Sequence, residues 1–214
     1  MDNYLDRIRD TFPEAIDSYK VIDSGWTNLV IEINDQWIWR FARDRSNPQT
    51  ALEGAFLPAF SDVSPLPIPT PVWQGEDFIA YKKIKGERCA PEKFFQLGSD
   101  QQSDMISGIG AFLTALHSFE FTHLKLSEAP YGGGDFWVDL WPSVEGKLSD
   151  RARSNAERFF KNAFNAIDAY PFSKTLIHSD LATNNLLVNF EAPRLTGIID
   201  FGDLSIGDPA ADFA

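Results

Sequence analysis

The sequence predicts an α+β protein with a strand-rich N-terminal part and a mainly helical C-terminal part. Over the first 83 positions, short apolar and β-branched runs alternate with turn residues. After residue 84, long stretches carry apolar residues at helical spacing. Between residues 177 and 202, two apolar runs form a hairpin pattern with a polar loop on each side. A chain of 214 residues can form one domain or two small ones.

The composition is that of a globular protein, with 43% hydrophobic residues. The single cysteine, Cys89, excludes an internal disulfide framework and suits a reducing cytoplasm. We see neither a secretion leader nor an apolar run of membrane-spanning length, so we expect a cytoplasmic protein. We also expect a monomer. The net charge of −12 argues against a nucleic-acid partner. It favours a cationic small substrate, although solubility alone also explains an acidic surface.

The chain opens with an amphipathic helix over residues 2–12, followed by strands over 18–23 and 29–34. After a tight turn, residues 36–42 form a third strand with Trp37, Trp39 and Phe41 on one face. Three consecutive strands joined by short loops predict an antiparallel sheet.

Ser46-Asn47-Pro48 is a helix start, because proline is tolerated in the first turn. That helix places Leu52, Phe56 and Phe60 on one face. The segment 64–71 is a rigid, extended connector that carries Pro65, Pro67, Pro69 and Pro71. Residues 72–74 and 78–82 then form another strand pair.

The C-terminal part has helical patterns over residues 105–117 and 153–169. His117 ends the first of these helices, and we interpret it as a capping or packing residue rather than a catalytic one. The hairpin follows, with strands over 186–188 and 195–199.

The polar loops around the hairpin hold the residues that phosphoryl transfer requires. His178, Asp180, Leu181 and Asn185 spell H-x-D-L-x-x-x-N, and Asp200-Phe201-Gly202 spell D-F-G. Transfer from a nucleotide needs one carboxylate to orient the attacking hydroxyl and hard oxygen ligands for Mg²⁺. Asp180, Asn185 and Asp200 supply these oxygens, and the hairpin brings their loops side by side. The alternative is two buried strands flanked by capping Asp and Asn residues.

These motifs resemble those of the protein-kinase-like fold, and their particular residues resemble the aminoglycoside phosphotransferase family. The matching phrases are H-S-D-L-A-T-N-N, I-I-D-F-G-D and G-D-P-A-A-D-F-A. The resemblance implies a two-lobed fold, with a nucleotide-binding lobe over residues 1–83 and a catalytic lobe over 84–214. It also implies Asp180 as the base, Asn185 and Asp200 as Mg²⁺ ligands, and His178 as a brace of the catalytic loop.

In the family, a lysine on the third strand pairs with the nucleotide phosphates and with a glutamate on the next helix. The aligned residue here is Arg40, and Glu53 is its candidate partner. Arginine keeps the charge but presents a planar fork rather than a point-like ammonium. The alternatives are a solvated strand end for Arg40 and an exposed helix position for Glu53.

The resemblance also assigns the nucleotide contacts. The loop after the first strand becomes a candidate phosphate loop, and its possible donors are Ser24, Gly25, Thr27 and Asn28. The segment 81–86 resembles the hinge of the 2″-type enzymes, where backbone groups near Lys82 and Ile84 read the base.

At the chain end, Gly207-Asp208-Pro209 opens a helix, and we expect Asp208 to cap it or to brace the catalytic loop. Asp203 and Asp212 are candidate carboxylates for the acceptor. Family members continue with further helices, so we expect either a fragment or a shortened relative.

Together these features predict transfer of the γ-phosphoryl group of ATP or GTP to a hydroxyl of an aminoglycoside, with Mg²⁺ as cofactor. A second hypothesis keeps the chemistry but changes the acceptor to a macrolide, choline, a sugar or an amino alcohol. A third is a nucleotide-binding pseudokinase, for which the clues are the arginine at position 40 and the absence of the family's C-terminal part.

Overall fold

A computed structural model of the chain describes residues 2–22, 27–120, 126–128, 141–169 and 172–213. The N-terminal elements are α1 (Asp2–Thr11), β1 (Tyr19–Ile22), β2 (Asn28–Ile33), β3 (Trp37–Ala42), α2 (Gln49–Ser61), β4 (Pro71–Gln74) and β5 (Phe78–Lys82). The C-terminal elements are β6 (Glu87–Arg88), α3 (Pro91–Phe94), α4 (Ser99–His117), α5 (Asp150–Ala169), β7 (Thr175–Ile177), β8 (Leu186–Asn189), β9 (Arg194–Ile198) and β10 (Ser205–Gly207). Short 3₁₀ helices lie at Glu145–Lys147, Thr183–Asn185 and Pro209–Phe213. The predicted α+β class is confirmed.

The N-terminal strands form one antiparallel sheet in the order β1-β2-β3-β5-β4. The turn between β2 and β3 is made by Asn34 and Asp35, each with a φ of 53°. Asn and Asp adopt this left-handed conformation more readily than other residues with a side chain. The three consecutive strands predicted from the sequence are therefore confirmed.

One face of this sheet packs against α1. Leu5, Ile8 and Phe12 of the helix are buried, and together with Trp39 they form an aromatic-rich cluster. The rings of Trp39 and Trp73 stack at 5.9 Å with an angle of 9° between their planes. Phe12 meets Trp39 edge-on at 88°, which is a favoured geometry for aromatic pairs.

The other face of the sheet packs against α2, and this second core continues into the C-terminal part. Phe56 of α2 lies 5.9 Å from Phe201, and Phe60 lies 5.8 Å from Phe112 of α4, measured between ring centroids. All four rings are completely buried. The predicted inward face of α2 is thus confirmed, and the core holds the site residues around Phe201 in place.

The predicted hairpin is formed by β8 and β9, with Leu186 opposite Ile198. β6 pairs with β8 on the outer side, so the sheet has three strands. Beyond the hairpin, the backbone N–H of Ile199 donates to the carbonyl of Asn185 at 3.0 Å. This bond holds the two polar loops next to each other.

Some boundaries differ from those predicted. Helix α4 begins at Ser99 rather than near residue 105. Its first turn is polar and so lacks the apolar spacing that predicts a helix. Gln101 caps this turn by accepting from the N–H of Gly98 at 3.0 Å. The helix predicted after Pro209 is a 3₁₀ turn, capped by Asp208, whose Oδ1 accepts from the N–H of Ala210 at 2.9 Å. Over the part of the chain that the structure describes, no helix has the length and apolarity needed to span a membrane.

Candidate active site

The candidate site lies between a first loop, residues 178–185, and a second loop, residues 199–204. Ser179 in the first loop and Asp200 in the second have φ values of 68° and 67°. Residues with side chains rarely occupy this left-handed region, and where they do it often marks a functional site. The hydroxyl of Ser179 lies 2.6 Å from that of Ser205, which ties the first loop to β10.

Asn185 holds Asp180 within the first loop. Its amide nitrogen lies 2.8 Å from the Asp180 carbonyl and 2.9 Å from Asp180 Oδ2, and it donates to both. Asn185 is 2% exposed, whereas Asp180 is exposed. Because the amide hydrogens are used by Asp180, the amide oxygen of Asn185 is the atom that can bind a further ligand. Asp180 is thus positioned by a buried neighbour while its carboxylate faces solvent.

The buried ring of His178 forms a hydrogen bond to each of the two loops. Its Nδ1 accepts from the N–H of Asp180 at 3.3 Å, so Nε2 carries the proton and donates to the Ile199 carbonyl at 3.2 Å. The ring is completely buried and lies 4.7 Å from the ring of Phe201. Burial lowers the pKa of His178, which keeps the imidazole neutral. The neutral tautomer is the form that matches both hydrogen bonds.

Asp212 lies beneath the first loop and does not face an acceptor site. Its side chain is 0% exposed. Oδ2 accepts from the N–H of His178 at 3.0 Å and contacts Nε2 of His117 at 2.9 Å, while Oδ1 accepts from the N–H of Ser179 at 2.9 Å. The expectation of Asp212 as a substrate carboxylate is corrected, because its oxygens are occupied by donors inside the protein.

Arg40 lies between two carboxylates. Its Nη1 donates to Oε1 of Glu53 and its Nη2 to Oδ1 of Asp200, each at 2.9 Å. Arg40 is 6% exposed and Glu53 is 2% exposed, so neither is the solvated surface residue of the alternative interpretation. Glu53 reaches Arg40 from α2, as the position of the helix predicted.

Burial and charge act in opposite directions in this cluster. Burial opposes the charge of Arg40, but the nearby anionic groups outweigh it and hold the pKa of Arg40 above its ordinary value. Burial raises the pKa of the Glu53 carboxyl, and the guanidinium works against that rise. Tyr81 lies beside Arg40, and burial raises the pKa of its hydroxyl to about 12. Because arginine stays protonated, the cluster keeps a cation next to Asp200.

Asp203 is an exposed carboxylate of the second loop. Partial burial raises the pKa of Asp203, and the negative charges of Asp180 and Asp200 add to the rise. Gln49, the first residue of α2, approaches Asp203 at 3.4 Å. Of the two carboxylates predicted for the acceptor, Asp203 is therefore the one close to the site.

The described residues predicted to contact the nucleotide through these two segments lie around the start of β2 and the end of β5. Thr27 is exposed, and its hydroxyl accepts from the side-chain amide of the buried Asn28 at 3.1 Å. Lys82 is exposed at the end of β5, and Ile84 is half-buried. The other two predicted donors, Ser24 and Gly25, lie outside the described residues.

The oxygen atoms of Asn185 and Asp200 fit a magnesium ion. Both are hard ligands, and the Asp200 side chain is 49% exposed, so a cation can approach it. Within the described residues, no three His, Cys, Asp or Glu side chains converge on a metal position. A two-residue site still suits Mg²⁺, which usually retains waters and binds substrate phosphates.

Three residues of this arrangement have no sequence signal for their contacts. Tyr81 lies in the predicted hinge, Gln49 belongs to no motif, and the capping or packing interpretation of His117 names no partner. Tyr81 lies on β5, which comes two strands after Arg40 in the sequence but pairs directly with β3, so no periodic pattern in the sequence shows that the two residues meet.

Comparison with known proteins identifies one protein family and several individual relatives. The model of the phosphotransferase enzyme family matches residues 18–214. Viomycin phosphotransferase from Streptomyces vinaceus is 32% identical over 121 residues, which are 53% of this chain and 38% of that protein. The alignment thus spans well under half of the length of this relative.

Solved structures match nearly the entire chain. The GDP and kanamycin complex of APH(2″)-IIIa has a TM-score of 0.87 and 24% identity, covering 100% of this chain and 76% of its own. The macrolide 2′-phosphotransferase MphH from Brachybacterium faecium has a TM-score of 0.73 and 19% identity, covering 99% and 75%. These likenesses confirm the predicted two-lobed, protein-kinase-like fold.

Proposed function

The chain belongs to the phosphotransferase enzyme family, and on this premise we propose that it transfers the γ-phosphoryl group of ATP or GTP to a hydroxyl of an aminoglycoside. The biological role would be resistance to the antibiotic. The observation that carries the proposal is the exposed carboxylate of Asp180, held by Asn185 at 2.9 Å opposite the Asp200 loop. Such a carboxylate suits the base of a phosphoryl transfer.

Asp180 would orient the acceptor hydroxyl and take its proton. The hydroxyl oxygen forms the new bond to the γ-phosphorus, the bond to the β,γ-bridging oxygen breaks, and the nucleoside diphosphate leaves. Asn185 keeps the carboxylate in place during this exchange, since its amide donates to both the side chain and the backbone of Asp180. His178 supports the same loop through the N–H of Asp180.

Asn185, through its amide oxygen, and Asp200 would hold Mg²⁺. When bound, Mg²⁺ neutralises charge on the β- and γ-phosphates of the donor. Arg40 would supply a second positive charge to the phosphates, with Glu53 anchoring its guanidinium. Ser24, Gly25, Thr27 and Asn28 would contact the nucleotide phosphates. The backbone near Lys82 and Ile84 would bind the nucleotide base.

An aminoglycoside carries several ammonium groups, so its site needs carboxylates. Asp203 offers one next to Asp180 and Asp200, and the net charge of −12 attracts cations over longer distances. The kanamycin complex among the structural matches supports this acceptor class. A macrolide is the second candidate, supported by the fold match to a macrolide phosphotransferase.

We further propose that the protein works as a cytoplasmic monomer divided near residue 83 into a nucleotide-binding and a catalytic lobe. The free, buried thiol of Cys89 fits a reducing compartment. The placement of Arg40 in the first part and Asp200 in the second fits a nucleotide site between the two.

The test is phosphate transfer by the purified chain from labelled ATP or GTP to kanamycin, a macrolide, choline and a neutral sugar. We expect kanamycin to be the preferred acceptor. Its KM should rise with salt, because attraction between exposed charges is screened over about 8 Å at physiological ionic strength. Transfer only to the sugar, or a KM for kanamycin that does not change with salt concentration, would contradict the acceptor assignment. Nucleotide binding without transfer to any acceptor would favour the pseudokinase hypothesis.

The matched variants are Asp180→Asn and Asp104→Asn, the latter an exposed acid on α4. Asp180→Asn should lower kcat by about 10²–10⁴-fold with little change in nucleotide affinity, because loss of a base acts on the transition state. Asp104→Asn should leave kcat unchanged. A kcat in Asp180→Asn equal to that of the control would remove Asp180 from its role.

A further inference from the structure

The guanidinium of Arg40 joins two carboxylates that are far apart in the sequence. It donates through Nη1 to Glu53 and through Nη2 to Asp200, both at 2.9 Å. A guanidinium presents five N–H donors in a rigid plane, so one side chain can hold two carboxylates at once. A lysine ammonium is a compact point charge without this fork. Arg40, which lies on β3, therefore links α2 to the second loop.

The carboxylate that Arg40 holds is also the one that we assign to the divalent cation. Arg40 is 6% exposed and Glu53 is 2% exposed, so water screens little of the charge of this ion pair, whereas the Asp200 side chain is 49% exposed. A positive charge at hydrogen-bond distance from Oδ1 of Asp200 opposes a second cation at the same carboxylate. A divalent cation that binds Asp200 would therefore meet the opposing charge of Arg40.

We propose that Arg40 occupies the cation site of Asp200 while no nucleotide is bound, and that the nucleotide phosphates release it. Phosphate oxygens offer the guanidinium another anionic partner, with the bidentate geometry that arginine favours. Glu53 keeps the other side of the fork, so the guanidinium can turn toward the phosphates without leaving the site. Nucleotide binding and cation binding then favour each other. The cation site is part of the proposed function, on which this step rests.

The probe is Mn²⁺, whose free concentration is measured by electron paramagnetic resonance, with the nucleotide-free chain. The main variant is Arg40→Gln/Glu53→Gln, which leaves the net charge unchanged and avoids burying an unpaired carboxylate. It removes the positive end of the ion pair that faces Asp200. We expect this variant to bind Mn²⁺ at least about tenfold more tightly than the wild type, a typical size for coupling between two sites.

Two controls make the result specific. Arg9→Gln/Asp6→Asn neutralises an exposed ion pair of 2.8 Å on α1, away from the site, and should leave Mn²⁺ affinity unchanged. Adding Asp200→Asn to the main variant should abolish the gain, because the gained affinity belongs to that carboxylate. Circular dichroism establishes that each variant is folded before binding is compared. If the main variant is unfolded, Arg40→Met/Glu53→Leu takes its place and should bind Mn²⁺ more tightly than the wild type, since it also removes the positive charge that faces Asp200.

Equal Mn²⁺ affinity in a folded main variant and the wild type would overturn the competition at Asp200. So would a gain that survives Asp200→Asn. If the chain transfers phosphate but the Arg40 variant binds Mn²⁺ with the same affinity as the wild type, this proposal alone fails. If the Mn²⁺ difference appears but no acceptor is phosphorylated, the proposed function fails while the competition at Asp200 stands.

Discussion

Replacing Asp212 with asparagine tests whether this buried carboxylate supports the first loop or binds an acceptor. Its two oxygens serve three donors, namely the N–H groups of His178 and Ser179 and the Nε2 of His117. An asparagine keeps one oxygen, so at least one donor would face an NH₂ group. A hydrogen bond to a charged group is worth about 1.5–3 kcal/mol. We therefore expect Asp212→Asn to lower the free energy of unfolding by about 1.5–3 kcal/mol.

The matched control is Asp203→Asn, which changes the same group at an exposed position of the second loop. Substitutions at such positions usually stay within about 0.5 kcal/mol, so the stability of this variant should equal that of the wild type. Denaturant unfolding measures the stability, and steady-state kinetics with kanamycin measure kcat and KM. Asp212→Asn should lower kcat with little change in the kanamycin KM, whereas Asp203→Asn should raise that KM.

The opposite pattern would refute the assignment. If Asp212→Asn were as stable as the wild type and raised the kanamycin KM, Asp212 would be an acceptor ligand. The inference that its burial and its three hydrogen-bond donors mark a structural role would then be wrong.

Three further substitutions probe the fold by denaturant unfolding. Ile8→Ala removes a completely buried side chain of α1 and should cost about 2–5 kcal/mol, whereas less than 1 kcal/mol would mean that α1 adds little. Gly86→Ala should cost about 1–3 kcal/mol, because φ is 146° there and an added Cβ would lie 2.3 Å from Oγ1 of Thr196; a neutral effect would contradict that backbone conformation. Asp208→Ala should cost about 1 kcal/mol through loss of the cap on Ala210, and unchanged stability would show that the cap is dispensable.

The site residues could be predicted from the sequence where local spacing fixes them. Asp180 and Asn185 lie in one loop, and the hairpin brings them next to Asp200, so motif and strand pattern were sufficient. The pairing of Arg40 with Glu53 was predicted from the family resemblance, which places a cation on the third strand and its glutamate on the next helix. Periodicity alone left an exposed glutamate as the alternative.

The remaining features depend on contacts between distant parts of the chain. Asp212 accepts from residues 34 and 95 positions away, and the bond from Arg40 to Asp200 spans 160 positions. A carboxylate near the chain end looks free in sequence, because nothing local shows which donors meet it. Likewise β6 has two exposed polar residues, which give no strand signal until β8 pairs with them.

The stacked indoles of Trp39 and Trp73 give the N-terminal sheet an optical signature of its own. Together with Trp37, whose ring lies 4.7 Å from that of Trp73, these rings are held by tertiary packing and contribute near-ultraviolet circular dichroism, which disappears when the packing is lost. That signal depends on the side-chain contact between β3 and β4 across β5, whereas helical ellipticity arises mainly from elements such as α4 and α5. A single thermal melt therefore records the unfolding of the N-terminal sheet and of the C-terminal helices in the same sample. Coincident transitions would mean that the two cores unfold as one cooperative unit.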